Sequence, residues 1–168
     1  MSKLPEMTAY YNEAMDITLA VPVGWTGKVL SPQAFRIFSQ PEPKFDDYRG
    51  TLSVEKVDVT EDAPENIEYN AQALESLIAQ AEDDLKRNME NYQSLREQRY
   101  TSQNNLPGYA HWFSWQDPES GKTFSQIQAF LLTAGGDLYI FNAATLKSLE
   151  SRYMPVFDHI IQSAQIAG

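Results

Sequence analysis

Apolar and polar residues alternate along three stretches in the first third of the chain, and this period of two predicts β-strands. The strands are expected at Ile17–Val21, Ala34–Ser39 and Thr51–Val59. The segment Gln40–Gly50 contains two prolines, two aspartates and a terminal glycine, which is typical of a turn-rich loop. The sequence therefore predicts that the second and third strands form a long hairpin.

After this hairpin the apolar residues recur every three or four positions, which predicts an amphipathic helix at Pro64–Glu90. Asp62 and Glu65 mark its start, because acidic side chains are favoured at the positive end of the helix dipole. On the polar side, the pairs Glu82–Lys86 and Asp83–Arg87 have the spacing of ion pairs one turn apart. The apolar stripe consists of Ile67, Ala71, Leu74, Leu77, Ile78, Ala81, Leu85 and Met89.

The second half of the chain returns to strand patterns. Ser94–Ser102 is polar and is expected at a sheet edge. Three longer runs follow at Tyr109–Gln116, Thr123–Thr133 and Leu138–Thr145, and the short turns between them favour antiparallel pairing. A second amphipathic helix near the end of the chain is formed by Tyr153, Phe157, Ile160, Ile161 and Ala164. Two helices on a mostly antiparallel sheet predict an α+β sandwich.

The length of 168 residues predicts a single domain, residues 1–168, in which the first 14 residues form a flexible lead. A chain of this length buries roughly 70% of its unfolded surface on folding, so it needs no disulfide or metal to hold its core. The chain contains no cysteine. Disulfides, thiolate metal ligands and thiol nucleophiles are therefore excluded.

The charge balance disfavours two classes of partner. The net charge is −10, from 13 basic and 23 acidic residues. Binding of nucleic acid or of an anionic membrane surface requires an excess of Lys and Arg, so we expect neither. Most of the imbalance lies in Glu55–Glu90, with 11 acidic and 3 basic residues. This excess is typical of a solvated helix face, and it would alternatively steer the chain toward a basic partner.

Neither an apolar leader nor a membrane span is evident in the sequence. The first thirty residues contain no apolar run of about 7–15 residues, and no later stretch approaches the length of about 18 residues that a span needs. The prediction is a cytoplasmic protein without membrane insertion. A periplasmic or lumenal protein whose signal peptide has been removed is the alternative, and a homodimer is left open.

The residue types that carry chemistry are scarce. His111 and His159 each lack a second histidine three or four residues away, so no metal site is predicted. The pair Gly135–Gly136 precedes a strand rather than a helix, which indicates a hairpin turn and not a phosphate-binding loop. No nucleophile elbow of the form G-x-S-x-G is present. We therefore expect no catalytic residues, no cofactor and no enzymatic activity.

Loop carboxylates offer the alternative to that expectation. Asp46–Asp47 and Glu61–Asp62 lie in loops, where acidic residues most often cap turns. Asp46, Asp47 and Glu61 would act in a small hydrolase or ligand-binding enzyme if they flanked a deep cavity. They do not have the spacing of a calcium-binding loop.

Two predicted strands carry aromatic and glutamine side chains on one face each. Such a face has two interpretations: rings buried under a helix with glutamines near an edge, which we favour, or a surface that binds a protein partner. In the second interpretation, the amides satisfy polar groups of the partner while the rings supply contact area. The candidate partner-binding residues are Phe113, Trp115, Phe124, Gln126, Gln128 and Phe130.

A short motif ends the first strand. Pro22 removes a hydrogen-bond donor from the strand, Gly24 permits a backbone conformation that other residues avoid, and Trp25 is large enough to cover the end of a core. No nucleophile or base lies in this motif. It is therefore interpreted as a structural corner.

Together with later motifs, this corner resembles the superfamily that groups the photosystem protein PsbP, the Ran-binding protein Mog and the bacterial DcrB-like proteins. The resemblance extends over roughly residues 8–166. The residues that carry it are Pro22, Gly24, Trp25, the turn Leu106-Pro107-Gly108-Tyr109, Gln126, Gln128 and Ser163 after Phe157 and Ile160.

The resemblance implies an α-β-α sandwich that serves as a non-enzymatic binding module. Some bacterial members of the superfamily act as chaperones for type VI secretion effectors and hold apolar effector segments on the sheet. A chaperone or adaptor of this DcrB-like kind is the function that the resemblance favours, and a PsbP-like photosystem accessory protein is an alternative. The sequence contains no recognisable signature of Ran binding.

Overall fold

A computed structural model describes residues 4–60 and 67–167 and confirms the predicted α+β sandwich with mostly antiparallel sheets. A seven-stranded antiparallel sheet in the order β3-β4-β5-β9-β8-β7-β6 forms the middle layer. Helix α1 packs on one face of this sheet, and helix α2 with a three-stranded sheet, β1-β2-β10, packs on the other. The elements are β1 Met7–Asn12, β2 Ile17–Pro22, β3 Thr26–Ser31, β4 Ala34–Phe38, β5 Thr51–Asp58, α1 Ala71–Asn88, β6 Glu90–Thr101, β7 Pro107–Gln116, β8 Thr123–Leu132, β9 Asp137–Leu146, α2 Glu150–Gln162 and β10 Gln165–Ile166.

The main core lies between the seven-stranded sheet and α2. Phe157 and Ile160 of α2 have no exposed surface, and β2 adds a second apolar layer beside them. The strand residues that face α2 alternate with residues on the opposite face, as their period of two requires. The most deeply buried members of this core are Phe35, Leu52, Ile127, Phe141, Ile17 and Leu19.

The corner after β2 anchors one end of this core, as predicted. β2 ends at Pro22, and Gly24 adopts a φ of 94°, which a side chain would strain. The indole of Trp25 packs against the rings of Tyr153 and Phe157 in α2, with ring centroids 6.0 and 5.9 Å apart. The strand that follows, β3, shows no apolar alternation in sequence and was not predicted.

The prediction of a flexible N-terminal lead is wrong for Met7–Asn12, because these residues form β1 and pair antiparallel with β2. Most of the side chains of β1 are exposed or only partly buried, so the sequence lacks the apolar alternation that reveals a strand. Asn12 is buried, and its side chain accepts a hydrogen bond from the amide of Met15 at 2.9 Å. The pairing therefore depends on backbone hydrogen bonds and a buried cap more than on apolar burial.

Helix α1 begins at Ala71 rather than at Pro64. The side chain of Asn70 caps it by accepting hydrogen bonds from the amides of Gln72 and Ala73, at 3.0 and 3.2 Å. Ile67, placed in the predicted apolar stripe, precedes the helix and is 42% exposed. Residues 61–66, which include the predicted start signals Asp62, Pro64 and Glu65, lie outside the described residues. The asparagine cap is the stronger local signal, because it satisfies amides that the first turn leaves unpaired.

One of the two predicted ion pairs on α1 forms. Lys86 Nζ lies 3.7 Å from a carboxylate oxygen of Glu82. Arg87 pairs with Asp84 at 3.1 Å instead of Asp83, whose backbone carbonyl oxygen accepts a bond from Arg87 Nε. The edge position of the polar strand β6 and the turn at Gly136, with φ of 88°, are also as predicted.

We expect Asn70→Ala to lower the free energy of unfolding by about 1 kcal/mol, because two amides of α1 lose their acceptor. Urea unfolding followed by circular dichroism measures this change. Asn70→Asp is the matched control, since a carboxylate also accepts these bonds and should keep stability near that of the wild type. An Ala variant as stable as the wild type would show that the cap contributes nothing.

Candidate functional site

Helix α1 is too narrow to cover the sheet face on which it lies. The outermost strand axes are about 29 Å apart, because six gaps of roughly 4.8 Å separate seven strands. A helix with its side chains is about 10–12 Å wide and covers two or three strands. The buried cluster under α1 joins Leu74 and Ile78 to the sheet residues Tyr109, Phe130, Leu132 and Leu138. These sheet residues belong to β7, β8 and β9, and none of the described helices packs on the half of the face toward β3.

The burial pattern shows the difference between the two faces directly. In β4, Phe35 and Ile37 face α2 and are buried, whereas Arg36 between them is exposed. In β9, Phe141 and Ala143 are fully buried, whereas Asn142 is only partly buried. We call this surface, together with the adjoining polar and aromatic side chains of β8 and β7, the open face. It is formed by Lys28, Arg36, Ser53, Asn142, Ala144, Gln128 and Trp115.

A network of side-chain amides crosses the open face. Trp115 donates its indole N–H to the carbonyl oxygen of Gln126 at 3.0 Å, and Gln126 donates to Asn142 Oδ1 at 2.9 Å. Gln128 donates to the same oxygen of Asn142 at 3.3 Å. Both glutamines thus use one acceptor, and the amide N–H groups of Asn142 are directed at no described side chain. These donors remain free to bond a polar group placed above the sheet.

An aromatic pair closes one end of this network. The rings of Trp115 and Phe124 stack with centroids 5.0 Å apart and an interplanar angle of 22°. Both side chains are only partly buried. Rings that are partly exposed in this way offer apolar contact area at little entropic cost.

The structure divides the six candidate residues into two groups. Phe113 and Phe130 are buried, at 0% and 2% exposure, so they belong to the core as in the favoured interpretation. Trp115, Phe124 and Gln128 are partly buried on the same face. Gln126 is 8% exposed and serves as the link within the amide network. The expectation that the glutamines lie near an edge is wrong, because β8 has two strands on one side of it and four on the other.

Sequence reasoning missed Asn142, Ser53, Arg36 and Lys28. The register places them in one row with Gln128, since each is the direct cross-strand partner of the next. No local pattern marks these residues, because long-range pairing of β5 with β9 brings them together. The alternation of β9, with Asn142 between two buried residues, was the only available signal.

An apolar groove of about 470 Å³ runs between α1 and the open face. Leu77, Ala81 and Leu85 form its helix side, and Val57 and Ile140 are among the sheet residues below. Gln128 also lines the groove, so the groove and the amide network are continuous. The site can therefore bind an elongated ligand with one apolar side and some polar groups.

His111 lies on β7 and connects this strand to the edge strand β6. Its ring is 1% exposed, and Nε2 lies 2.8 Å from Ser94 Oγ and 3.3 Å from the Tyr92 hydroxyl. Burial lowers the pKa of His111, and the charges of Glu97 and Glu82 oppose that shift only in part. The folded state thus holds the neutral imidazole. Its role is structural, as expected for a lone buried histidine.

Next to it, Tyr109 donates its hydroxyl to a carboxylate oxygen of Glu97 at 2.7 Å. Burial, together with this hydrogen bond, raises the pKa of Tyr109. Arg99 forms a two-pronged bond with Glu75 of α1, at 2.6 and 2.9 Å, and its guanidinium lies over the Tyr109 ring. These contacts fix α1 to the β6 side of the sheet and away from β3.

The loop carboxylates lie apart from the open face. Asp46 and Asp47 are exposed turn residues with left-handed backbones, at φ of 55° and 57°. Glu61 lies outside the described residues. Among residues 4–60 and 67–167, no group of three or more His, Asp or Glu side chains is arranged to hold a metal ion. Within the same ranges, no helix is long and apolar enough to cross a membrane.

No protein-family model and no curated protein sequence matches this chain. Several solved structures share its fold over nearly the whole length. LpqN of Mycobacterium tuberculosis, described as involved in cell envelope biogenesis, matches with a TM-score of 0.65 and 17% identity, over 97% of this chain and 91% of LpqN. The PsbP protein of the cyanobacterium Synechocystis matches with a TM-score of 0.59 and 14% identity, over 98% and 95% of the two chains.

A third structure, PA94 of Pseudomonas aeruginosa, is of a protein of unknown function. It matches with a TM-score of 0.61 and 13% identity, over 97% of this chain and 98% of PA94. Identities this low establish a shared fold and nothing further. The chain therefore has a PsbP-like fold.

We expect the stability of the protein to fall as the pH is lowered below about 6.5, the ordinary pKa of histidine. Because the folded state lowers the pKa of His111, the unfolded chain binds the proton first. The stabilising contribution is complete above that pH and declines by up to about 1.4 kcal/mol per pH unit until the folded pKa is reached. Urea titrations between about pH 7.5 and 5.5 measure this slope above the range where carboxylates titrate.

The slope should be smaller in His111→Gln, which has no titrating group at this position. His159→Gln, which removes an exposed histidine from α2, is the matched control for the substitution itself. If the free energy of unfolding of His111→Gln depends on pH as steeply as that of the wild type, other groups cause the pH dependence.

Proposed function

We propose that this protein is a non-enzymatic binding module whose open face holds a segment of another protein. The observation that carries the proposal is the amide network of Trp115, Gln126, Gln128 and Asn142 on an uncovered sheet face beside an apolar groove. Such a surface resembles an interface in composition, with aromatic rings, amides and few charges at its centre.

The dimensions of the open face favour a helical segment as the ligand. The part of the sheet that α1 leaves uncovered is about as wide as one further helix. A helix lying beside α1 would contact Leu77, Ala81 and Leu85 on one side and the sheet below. Its apolar side would enter the groove, and its polar groups would meet the free amides of Asn142. Ala144 is the cross-strand partner of Gln126 and is small enough to allow close approach beside the amide network.

The finer form of the proposal is a cytoplasmic chaperone or adaptor of the DcrB-like kind for a type VI secretion effector. Its support is the resemblance carried by Pro22, Gly24 and Trp25, together with an open face of the size that an apolar effector segment would need. A chaperone of this kind shields an apolar segment from water until it is delivered, which agrees with a groove that is apolar but lined by hydrogen-bonding groups.

A PsbP-like accessory protein is the second candidate, and the observation that favours it is the fold shared with the Synechocystis PsbP protein. A PsbP-like role also requires a protein partner, so the chaperone and the accessory protein differ only in which partner they bind. The hydrolase alternative gains no support from Asp46 and Asp47, which are exposed in a turn.

We expect Ala144→Arg to abolish capture of the protein's partner from the native cell. The long charged side chain would cover the open face beside Gln126 and leave a cation against the apolar side of the bound segment. Affinity capture with quantitative mass spectrometry measures the loss, and the partner recovered by the wild type distinguishes an effector from a photosystem component.

Ala79→Arg provides the matched control, because Ala79 is exposed on the side of α1 that faces solvent. This variant should recover the same partner as the wild type. Equal recovery by both Arg variants would refute the open face as the binding surface, and both variants should first be shown to unfold at wild-type urea concentrations.

A further inference from the structure

Two cations stand directly opposite each other at the outer end of the open face. Lys28 of β3 is the cross-strand partner of Arg36 of β4, so their side chains leave the sheet on the same side. Both residues are exposed. Like charges in this position destabilise a sheet unless an opposite charge lies between them.

The described part of the chain supplies no such charge. Every ion pair there involves another cation, and Lys28 and Arg36 take part in none. Glu55 is the nearest acidic residue on this face by register, one position diagonal to Arg36, and it forms no ion pair with it. Two neighbouring cations without an ion-pair partner among the described residues are therefore unusual in a chain of net charge −10.

The opposite rim of the site, formed by α1, contains an acidic residue. Asp84 of α1 lines the groove and is 58% exposed, although it also pairs with Arg87. A helix bound over β5 and β9 would have α1 and Asp84 on one flank and β4 with Arg36 on the other. The axis of such a helix would lie about 7 Å from that of β4, one and a half strand spacings away, so long side chains on a flank of radius about 5–6 Å would approach Arg36.

We propose that the segment bound on the open face is a helix with carboxylate side chains along the flank that faces Lys28 and Arg36. The inference rests on the proposed function and specifies the partner's chemistry. Lys28 and Arg36 would pair with aspartate or glutamate side chains on this flank, while the apolar side of the segment fills the groove. A charged flank on one side only would also fix the direction in which the helix lies.

A displayed peptide library provides the test. Its members are 18 residues long, the length of α1, with apolar residues at helical spacing and with acidic, basic or neutral residues at both flanks. Selection on the wild-type protein should enrich Asp and Glu on one flank. Binding constants of the selected peptides are then measured by fluorescence anisotropy on the wild type and on charge-reversal variants.

The double variant Lys28→Glu, Arg36→Glu should weaken these peptides by about tenfold, as expected when an attractive charge pair becomes repulsive. The matched control is Lys44→Glu, Lys122→Glu, which reverses two exposed lysines that line a separate pocket and should change binding by less than about twofold. Selection on the charge-reversed protein should instead enrich Lys and Arg on that flank.

The remaining outcomes separate the inference from the proposed function. Peptides that are lost with Ala144→Arg but bind equally well after charge reversal at Lys28 and Arg36 would overturn the acidic flank and leave the open face as a binding surface. A library that yields no peptide dependent on Ala144 would overturn both.

Discussion

Closure of one sheet face by α2 and β2 is the constraint on which the rest of the structure depends. Phe157 and Ile160 of α2 and Phe141 of β9 have no exposed surface, and Leu19 of β2 completes the same core. Because burial of apolar area is the main stabilising contribution, this face, which holds the larger of the two apolar clusters, contributes most to stability. The opposite face then needs only the smaller cluster under α1, and half of it stays available for binding.

The position of α1 follows from contacts with one half of the sheet. Glu75 pairs with Arg99 of β6, and Leu74 and Ile78 pack against Tyr109 of β7 and Phe130 of β8. These contacts draw the helix toward β6, so the strands β3, β4 and β5 keep their outer residues uncovered. The open face is thus a consequence of where the helix is fixed, and the amides along its centre keep the uncovered strands compatible with water.

The sequence predicts the elements of this fold better than it predicts the site. Strong periodicity reveals the three long strands of the second half and both helices, because their burial is one-sided and regular. It does not reveal β1 or β3, whose side chains are mostly exposed, and it extends α1 too far because Ile67 continues the apolar spacing by chance. The candidate site was half predicted: Trp115, Phe124 and Gln128 share a strand pair, whereas Asn142 and Arg36 join them only through pairings that no local pattern encodes.

The pairing of β5 with β9 has a further consequence for how the chain folds. The strands β3, β4 and β5 form one set of local hairpins, and β6, β7, β8 and β9 form another. The two sets meet only where Thr51–Asp58 aligns with Asp137–Ala144, across a long separation in sequence. Such non-local contacts are slow to form and define where a sheet can divide during folding and unfolding. A helix lying over β5 and β9 would bridge this division, so an occupied open face would slow mechanical or thermal opening of the sheet at this junction.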